Sequence, residues 1–462
     1  MTVEVQMKGV PGWSAILMCA LVAAALMASE VGAQDQETRK ITLKEAIETA
    51  AERNISSIQA SNRVASGKVS VHQAAAQFLP DLSASASGSR RYTEPAEASA
   101  SPGSYATSSS VTARMSSSLT LFDGLGNINS LRAAQLGLRA DQQSYEHARQ
   151  TVIFQTASSF LNVLMNRELV QSQRENLEAQ RQHLALIEEF YKVGNRSLAD
   201  LLQQQAAVAQ AELQVFSAEQ AEGVSKLQLL QTMGIEPTVG YEAVPLPVDQ
   251  LNLKLEAPDA DSALQEALVH RADLAGEKAQ VEVASRQVTV ARSGYWPSLS
   301  LSVGGTSSYS SQNETDGLSH QMLETKPELN AGLSFSVPVF DRLSTRSNVQ
   351  QAQITLRNEK LNLEDLERQV TLDVRQALLD YETAVKRLRA ADAQLQYAQQ
   401  ALAATTERYR VGAATLVELT ASRAQYANAR TERVQAGYSI IIAWLATGYY
   451  KGDIDAALGL LG

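Results

Sequence analysis

The chain is poor in cysteine, aromatic residues and positive charge, and each shortage removes a class of function. One cysteine occurs in 462 residues, Cys19. It sits in an N-terminal segment expected to be cleaved, so the mature chain has no thiol and no disulfide. The residues before it, Ile16, Leu17 and Met18, lack the small side chain that a lipoprotein cleavage site needs, which excludes a lipid anchor by that route. A formal net charge of −10 with 5% aromatic residues excludes a nucleic-acid partner, which requires a basic face. His72, His147, His183, His270 and His320 are scattered without metal spacing. There is no HExxH, no nucleophile elbow and no Gly-rich phosphate loop after a strand. No enzyme, metal or cofactor site is therefore expected. Beyond the N-terminus no apolar run is long enough for a helical span; Ser439–Leu445 is apolar but short. If the mature chain crosses a membrane, it does not do so with helices.

The N-terminal segment, residues 1–33, reads as a secretory signal. Lys8 supplies the charged region, Trp13–Met27 the apolar run, and Val31-Gly32-Ala33 the small residues before a cut near Gln34. Met7 is an alternative start, and an uncleaved anchor is the alternative reading of the same run.

The strongest positive feature is a repeated motif. Tyr191-Lys192-Val193-Gly194-Asn195-Arg196-Ser197-Leu198-Ala199-Asp200-Leu201 returns as Tyr409-Arg410-Val411-Gly412-Ala413-Ala414-Thr415-Leu416-Val417-Glu418-Leu419, 218 residues later. Gly194 and Gly412 suit a left-handed residue just past a helix end. Ser197 and Thr415 suit the cap of the next helix, and Asp200 and Glu418 complete a Ser/Thr-x-x-acid capping box. Each copy reads as helix stop, tight turn, helix start. Asn195-Arg196-Ser197 is formally a glycosylation acceptor, but the turn already accounts for its serine. Phe122-Asp123 recurs as Phe340-Asp341 at the same offset, and Leu79-Pro80 as Trp296-Pro297 at 217. Val170, Leu177, Leu184 and Tyr191, like Leu388, Leu395, Leu402 and Tyr409, are spaced by seven, a coiled-coil seam. The helices leading into the turns would be roughly 70 residues, about 100 Å long.

Between the helices the period changes to two. Val111, Ala113, Met115, Leu119 and Leu121 share one face, with Thr112, Arg114, Ser116, Ser118 and Thr120 on the other. Leu329, Ala331, Leu333, Phe335, Val337 and Val339 alternate likewise with Asn330, Gly332, Ser334 and Ser336. Ser298–Val303 and the weaker Leu82–Arg90 are their partners, joined through polar loops near residues 92–108 and 310–326. Apolar residues on one face and small polar residues on the other fit a transmembrane β-barrel with a wet lumen; a soluble hairpin lying on a helical body is the bland alternative. Four strands per chain cannot close a barrel, because open edges leave backbone unpaired in lipid. The chain must pool strands with copies of itself, eight from two or twelve from three.

These readings divide the chain into a signal at 1–33, a first repeat at 34–231 with its β-hairpin near 80–122, a Pro-containing connector at 232–262, a second repeat at 263–448 with its β-hairpin near 298–340, and a tail at 449–462. Thr447-Gly448 is the expected stop of the last long helix. The fold class is mainly α with a transmembrane β part, a tandem duplication of a coiled-coil helical hairpin plus β-hairpin.

That order, with the two turns, the Phe-Asp pairs and Ala267-Leu268-Val269-His270-Arg271-Ala272-Asp273-Leu274, resembles the TolC family of outer-membrane efflux proteins of Gram-negative bacteria. The family usually has proline where Ala272 stands. The resemblance implies a homotrimer forming one α/β-barrel channel-tunnel, with twelve strands in outer-membrane lipid and twelve helices across the periplasm. It implies a passive exit duct for tripartite efflux or type I secretion, partnered by a periplasmic adaptor and a proton-driven or ATP-driven inner-membrane transporter. The alternative function is a periplasmic coiled-coil scaffold without a pore. In the family the hairpin tips form the gate and meet the adaptor. Carried over here, the gate residues are Arg196, Asp200, Tyr409 and Glu418. The turn and adaptor contacts are Tyr191, Gly194, Asn195, Ser197, Gly412, Ala413 and Thr415. Family members with an ionic clasp carry arginine where Ala414 stands; here the arginine is in the first copy, as Arg196, and any clasp would join it to Glu418 or Asp200, with Tyr409.

Overall fold

The computed structural model describes residues 39–93, 106–236, 240–246, 259–312, 317–325 and 327–459. The signal, the tip of the first β-hairpin and residues 237–239 and 247–258 of the connector lie outside these residues.

The duplication is visible element by element. In the first half, α1 (Leu43–Arg53) and α2 (Ile55–Ala76) lead into strands β2 (Ser83–Thr93) and β3 (Ala106–Phe122), then the long helix α3 (Gly126–Lys192) and its return α4 (Leu198–Thr232). In the second, α5 (Ala260–His270) and α6 (Ala272–Ser293) lead into β5 (Ser298–Ser310) and β6 (Glu328–Ser336), then α7 (Ser344–Arg410) and α8 (Leu416–Lys451). Both long helices have 67 residues, about 100 Å at 1.5 Å per residue. A short parallel pair, β1 (Arg39–Ile41) with β4 (Tyr241–Ala243), ties the segment before α1 to the stretch between the two repeats, and α9 (Ile454–Leu458) closes the described chain. Helix α8 runs through Thr447-Gly448, the expected stop, to Lys451. The left-handed glycine that ends it is Gly452, φ 83°, the counterpart of Gly234 at φ 67°. A Cβ on Gly234 would meet the Arg53 carbonyl at 2.5 Å, so the end of the hairpin backs directly onto the α1–α2 junction. Gly452 backs onto His270 and Arg271 in the same way.

The strands form one antiparallel sheet in the order β2-β3-β5-β6. β2 starts after Asp81, whose carboxylate accepts from the Ser118 amide and hydroxyl. β6 stops at Ser336, two residues before Pro338, which has no amide to give the ladder. The faces alternate as expected, with one correction. The register slips between Thr120 and Phe122, so Leu121 is the extra residue of a bulge and Phe122 takes the apolar position opposite Leu299. Among the described residues, edge strands β2 and β6 have no neighbour on their outer sides, and both are exposed along their whole length. No helix among the described residues is long and apolar enough to cross a membrane.

The thick part of the core lies midway along the long helices. Phe160 and Leu161 of α3, Tyr381 of α7, Ile441 and Leu445 of α8, and Leu43 and Ala46 of α1 form one cluster with Met233 and Ala243. A second cluster joins Ala263, Ala267 and Leu274 of the α5–α6 arm to Val370, Val374 and Leu378 of α7. Toward the tip Leu177, Ala211 and Val215 make a small cluster, and Ile187, Leu416 and Leu419 are buried nearer the turns. Leu186, Phe190, Leu202, Phe216 and Leu372 remain exposed on the single chain, an apolar surface that calls for cover.

Candidate gate and docking tip

Both tips are built by the same backbone chemistry. Gly194, φ 80°, donates to the Tyr191 carbonyl at 3.0 Å and Asn195 to the Phe190 carbonyl at 2.8 Å, the paired bonds of a Schellman stop. Gly412, φ 77°, donates to Tyr409 at 3.1 Å and Ala413 to Arg408 at 2.7 Å. A Cβ at either glycine would meet nothing within 4 Å, so the left-handed backbone, rather than crowding, is what requires glycine here.

The acids of the two turns behave differently. Ser197 and Asp200 form the full reciprocal capping box, with the Asp200 amide donating to the Ser197 hydroxyl at 3.1 Å and the Ser197 amide to the Asp200 carboxylate at 3.3 Å. In the second copy the Glu418 amide donates to Thr415 at 3.2 Å, but the expected return bond to the cap amide is missing. The Glu418 carboxylate instead accepts from the Thr415 hydroxyl at 3.3 Å and pairs with Arg408 at 3.4 Å. Arg408 also donates to the Ala413 carbonyl at 3.1 Å. This arginine spans the turn and draws the longer Glu418 side chain away from the helix end.

Arg196 reaches across to the other hairpin. Its guanidinium carbon lies 4.6 Å from the centre of the Tyr409 ring, a cation–π contact. Within the chain Asp200 is held by its cap and Glu418 by Arg408, so of the three expected partners only Tyr409 meets Arg196. His183 of α3 packs edge-on against the same ring at 5.7 Å. Burial, reinforced by the Arg423 and Arg196 charges, lowers the His183 imidazole to about 4. Burial raises the Tyr409 hydroxyl, with Arg196 opposing the shift and Asp200 adding to it, so both side chains are neutral near pH 7.

The sequence reading placed Tyr191, Gly194, Asn195, Arg196, Ser197 and Asp200 at one turn and Tyr409, Gly412, Ala413, Thr415 and Glu418 at the other. The structure brings the two sets together through Arg196 and Tyr409. Arg408, His183 and Arg423 join the tip in the structure and were not among the residues expected from the sequence. Arg408 was open to inference, since it lies one residue before Tyr409 and ten before Glu418. His183 and Arg423 are 240 residues apart and meet only because the hairpins pack side by side.

A duplicated pair of helical hairpins of this length, carrying a shared four-stranded sheet at the end opposite the tips, defines an outer-membrane channel-tunnel. The outer membrane efflux protein family matches residues 46–234 and 263–446, and the chain belongs to it. It is similar to the pyoverdine export outer membrane protein OpmQ of Pseudomonas aeruginosa, 26% identical over 398 residues that cover 84% of this chain and 80% of that protein. The outer membrane protein TolC of Escherichia coli is 26% identical over 354 residues, 75% of this chain and 69% of its own. The crystal structure of the CmeC outer membrane channel of Campylobacter jejuni shares the fold with a TM-score of 0.76 at 20% identity, over 89% of this chain and 85% of that one. The protein is thus an outer-membrane transport duct of the efflux protein family and not an enzyme. A periplasmic scaffold without a pore does not fit that family.

Proposed function

We propose that three copies of the chain form one passive exit duct, with a twelve-stranded barrel in the outer membrane and a twelve-helix tunnel through the periplasm. The observation that carries this reading is the four-stranded sheet with both edges open. Such a sheet cannot sit in lipid unless β6 of one copy pairs with β2 of the next. Residues 34–231 and 263–448 are the two repeats, and 232–262 connects them at the level of the thick core. Because Cys19 is the sole cysteine and lies in the signal, the mature chain gives a clean background for cross-linking. Single cysteines scanned along β2 and β6 in pairs are expected to give disulfide-linked dimers and trimers that stop at three. A ladder ending at two, or no cross-link at any pairing, overturns the trimer.

The tips serve as gate and docking surface. At rest they narrow the tunnel mouth, and Tyr191, Gly194, Asn195, Ser197, Gly412, Ala413 and Thr415 present the surface an adaptor meets. The Arg196–Tyr409 contact holds the two hairpins of one chain together at the mouth, with Asp200 and Glu418 supplying acid around it. Arg196→Ala is expected to raise single-channel conductance in a planar bilayer severalfold. Conductance and closure equal to wild type would remove Arg196 from the gate. Cargo is set by the inner-membrane transporter, proton-driven or ATP-driven, which the adaptor joins to the tip.

A further inference from the structure

Just above the tip, between α3, α7 and α8, lies a cavity of about 460 Å³. Its polar lining is His183, Asn195, Arg196, Tyr409 and Arg423, with Thr406, whose hydroxyl donates to the Leu402 carbonyl, and Arg410, paired to Glu407 at 2.9 Å. Three of these groups present buried polar atoms that meet no hydrogen-bond partner: His183 Nε2, Tyr409 Oη and Arg423 Nη1. His183 is only 6% exposed. Native interiors rarely leave such groups unpaired, because the lost hydration is then uncompensated. Here all three side chains belong to residues that line one cavity, and donors outnumber acceptors among them. Arg423 can only donate, a neutral tyrosine donates, and neutral histidine donates from one ring nitrogen. Arg196 adds a second guanidinium over the Tyr409 ring. The charges acting on Arg423 and His183 come from one another, from Arg196 and from Tyr409, with no carboxylate among them. The one acid that acts on Tyr409 is Asp200, whose carboxylate is held at its own helix cap.

We infer that this cavity is a binding site for a carboxylate carried on an apolar stem. A carboxylate supplies the acceptors that the guanidinium of Arg423, the Tyr409 hydroxyl and the imidazole of His183 lack, and matches the planar fork of arginine. The remaining walls, Leu186, Ile187, Phe190 and Leu419, are hydrocarbon, which favours an alkyl carboxylate or a glutamate side chain over free phosphate. The site ties α3 to α7 and α8, so whatever fills it holds the two hairpins of a chain in one arrangement. The residues that line it all belong to one chain. The carboxylate can come from a small molecule or from an acidic side chain of a neighbouring copy of the chain, and the two sources separate experimentally.

The test is thermal unfolding of the full-length protein purified from membranes, in butyrate and in chloride at equal ionic strength, for wild type, Arg423→Met and Tyr409→Phe. A free carboxylate ligand predicts that butyrate raises the wild-type Tm and that each variant weakens the apparent butyrate affinity at least tenfold. A carboxylate supplied by a neighbouring copy predicts no butyrate response, and a lower Tm for both variants in chloride. If no carboxylate binds, removing an unpaired buried guanidinium or hydroxyl relieves a desolvation cost. Both variants are then as stable as wild type or more so, and butyrate does nothing. That result overturns the site. So does a loss confined to Arg423→Met, which would mark a packing lesion.

Discussion

Arg271→Ala is expected to lower stability by about 3–5 kcal/mol per chain, the cost of removing one partner from a buried ion cluster. Arg271 is 8% exposed and sits between α5 and α6, where the motif from Ala267 to Leu274 turns the chain. Its guanidinium grips Asp273 through two bonds, at 3.1 and 2.6 Å, and Asp373 of α7 at 3.3 Å. Without it two carboxylates face each other beside the second core cluster. Pairing is what keeps Asp273 charged: burial alone would raise its carboxyl, but the hydrogen bonds and charge of Arg271 hold it below the usual carboxylate range. A group depressed in the fold contributes stability above its unfolded pKa and loses it as pH falls through the folded value. The wild type therefore loses the contribution of this cluster below about pH 4, whereas protonation relieves the repulsion in Arg271→Ala. His147 nearby is held neutral, lowered by burial and by Arg271 against the pull of Asp273, so the wild type also pays for its protonation below about pH 6.5. The stability gap between wild type and Arg271→Ala should thus be widest near pH 7 and narrow progressively in acid. Thermal unfolding from pH 7 down to about pH 3 measures it; a gap under about 1 kcal/mol at pH 7, or one that widens in acid, would show that the cluster does not hold the junction.

How much of this was legible in the sequence follows from whether a feature is local. The turns at Gly194 and Gly412 were readable because a left-handed glycine and a following Ser or Thr cap are set by residues within one turn of helix. The offset of 218 extends further than the motif that revealed it: Gly234 and Gly452, Asp123 and Asp341, and Leu125 and Leu343, at φ 68° and 64°, all obey it. Asp123 and Asp341 each accept from the amide four residues on at 2.7 Å, which starts both long helices. Strand faces were readable from alternation, but the bulge at Leu121 was not, since an apolar residue at either position satisfies the pattern and only pairing with β5 decides. The half-made cap at Glu418 was hidden because the choice depends on where Arg408 points. The stop at Gly448 was misread because Gly448 packs on the α9 turn, where a Cβ would lie 2.5 Å from that of Ala457. The glycine there serves close approach within a continuing helix. The cavity beneath the tip was beyond reach, since it is assembled from three helices of both repeats.

Leu333→Arg is expected to abolish the assembled outer-membrane form, while Ser334→Arg, one residue away, leaves it intact. Leu333 lies within β6 opposite Leu301 and Ser334 opposite Ser300, so the two neighbours point to opposite faces. The face of Leu333 continues across the sheet through Leu301 to Leu119, and that of Ser334 through Ser300 to Thr120. If the apolar face meets lipid, an arginine there costs about 2–4 kcal/mol at mid-membrane, and each further copy in the assembly repeats the cost. The polar face would line the water-filled bore, where a charge is solvated and acts on the permeating ion instead. Leu333→Arg should therefore deplete the heat-modifiable oligomer from outer-membrane fractions and abolish export. Ser334→Arg should insert at wild-type levels, lower the cation conductance in planar bilayers and shift the reversal potential toward anions. Insertion of Leu333→Arg together with loss of Ser334→Arg would mean that the apolar face packs against protein and the serine face meets lipid. Equal tolerance of both would leave the sheet outside the membrane and sink the barrel.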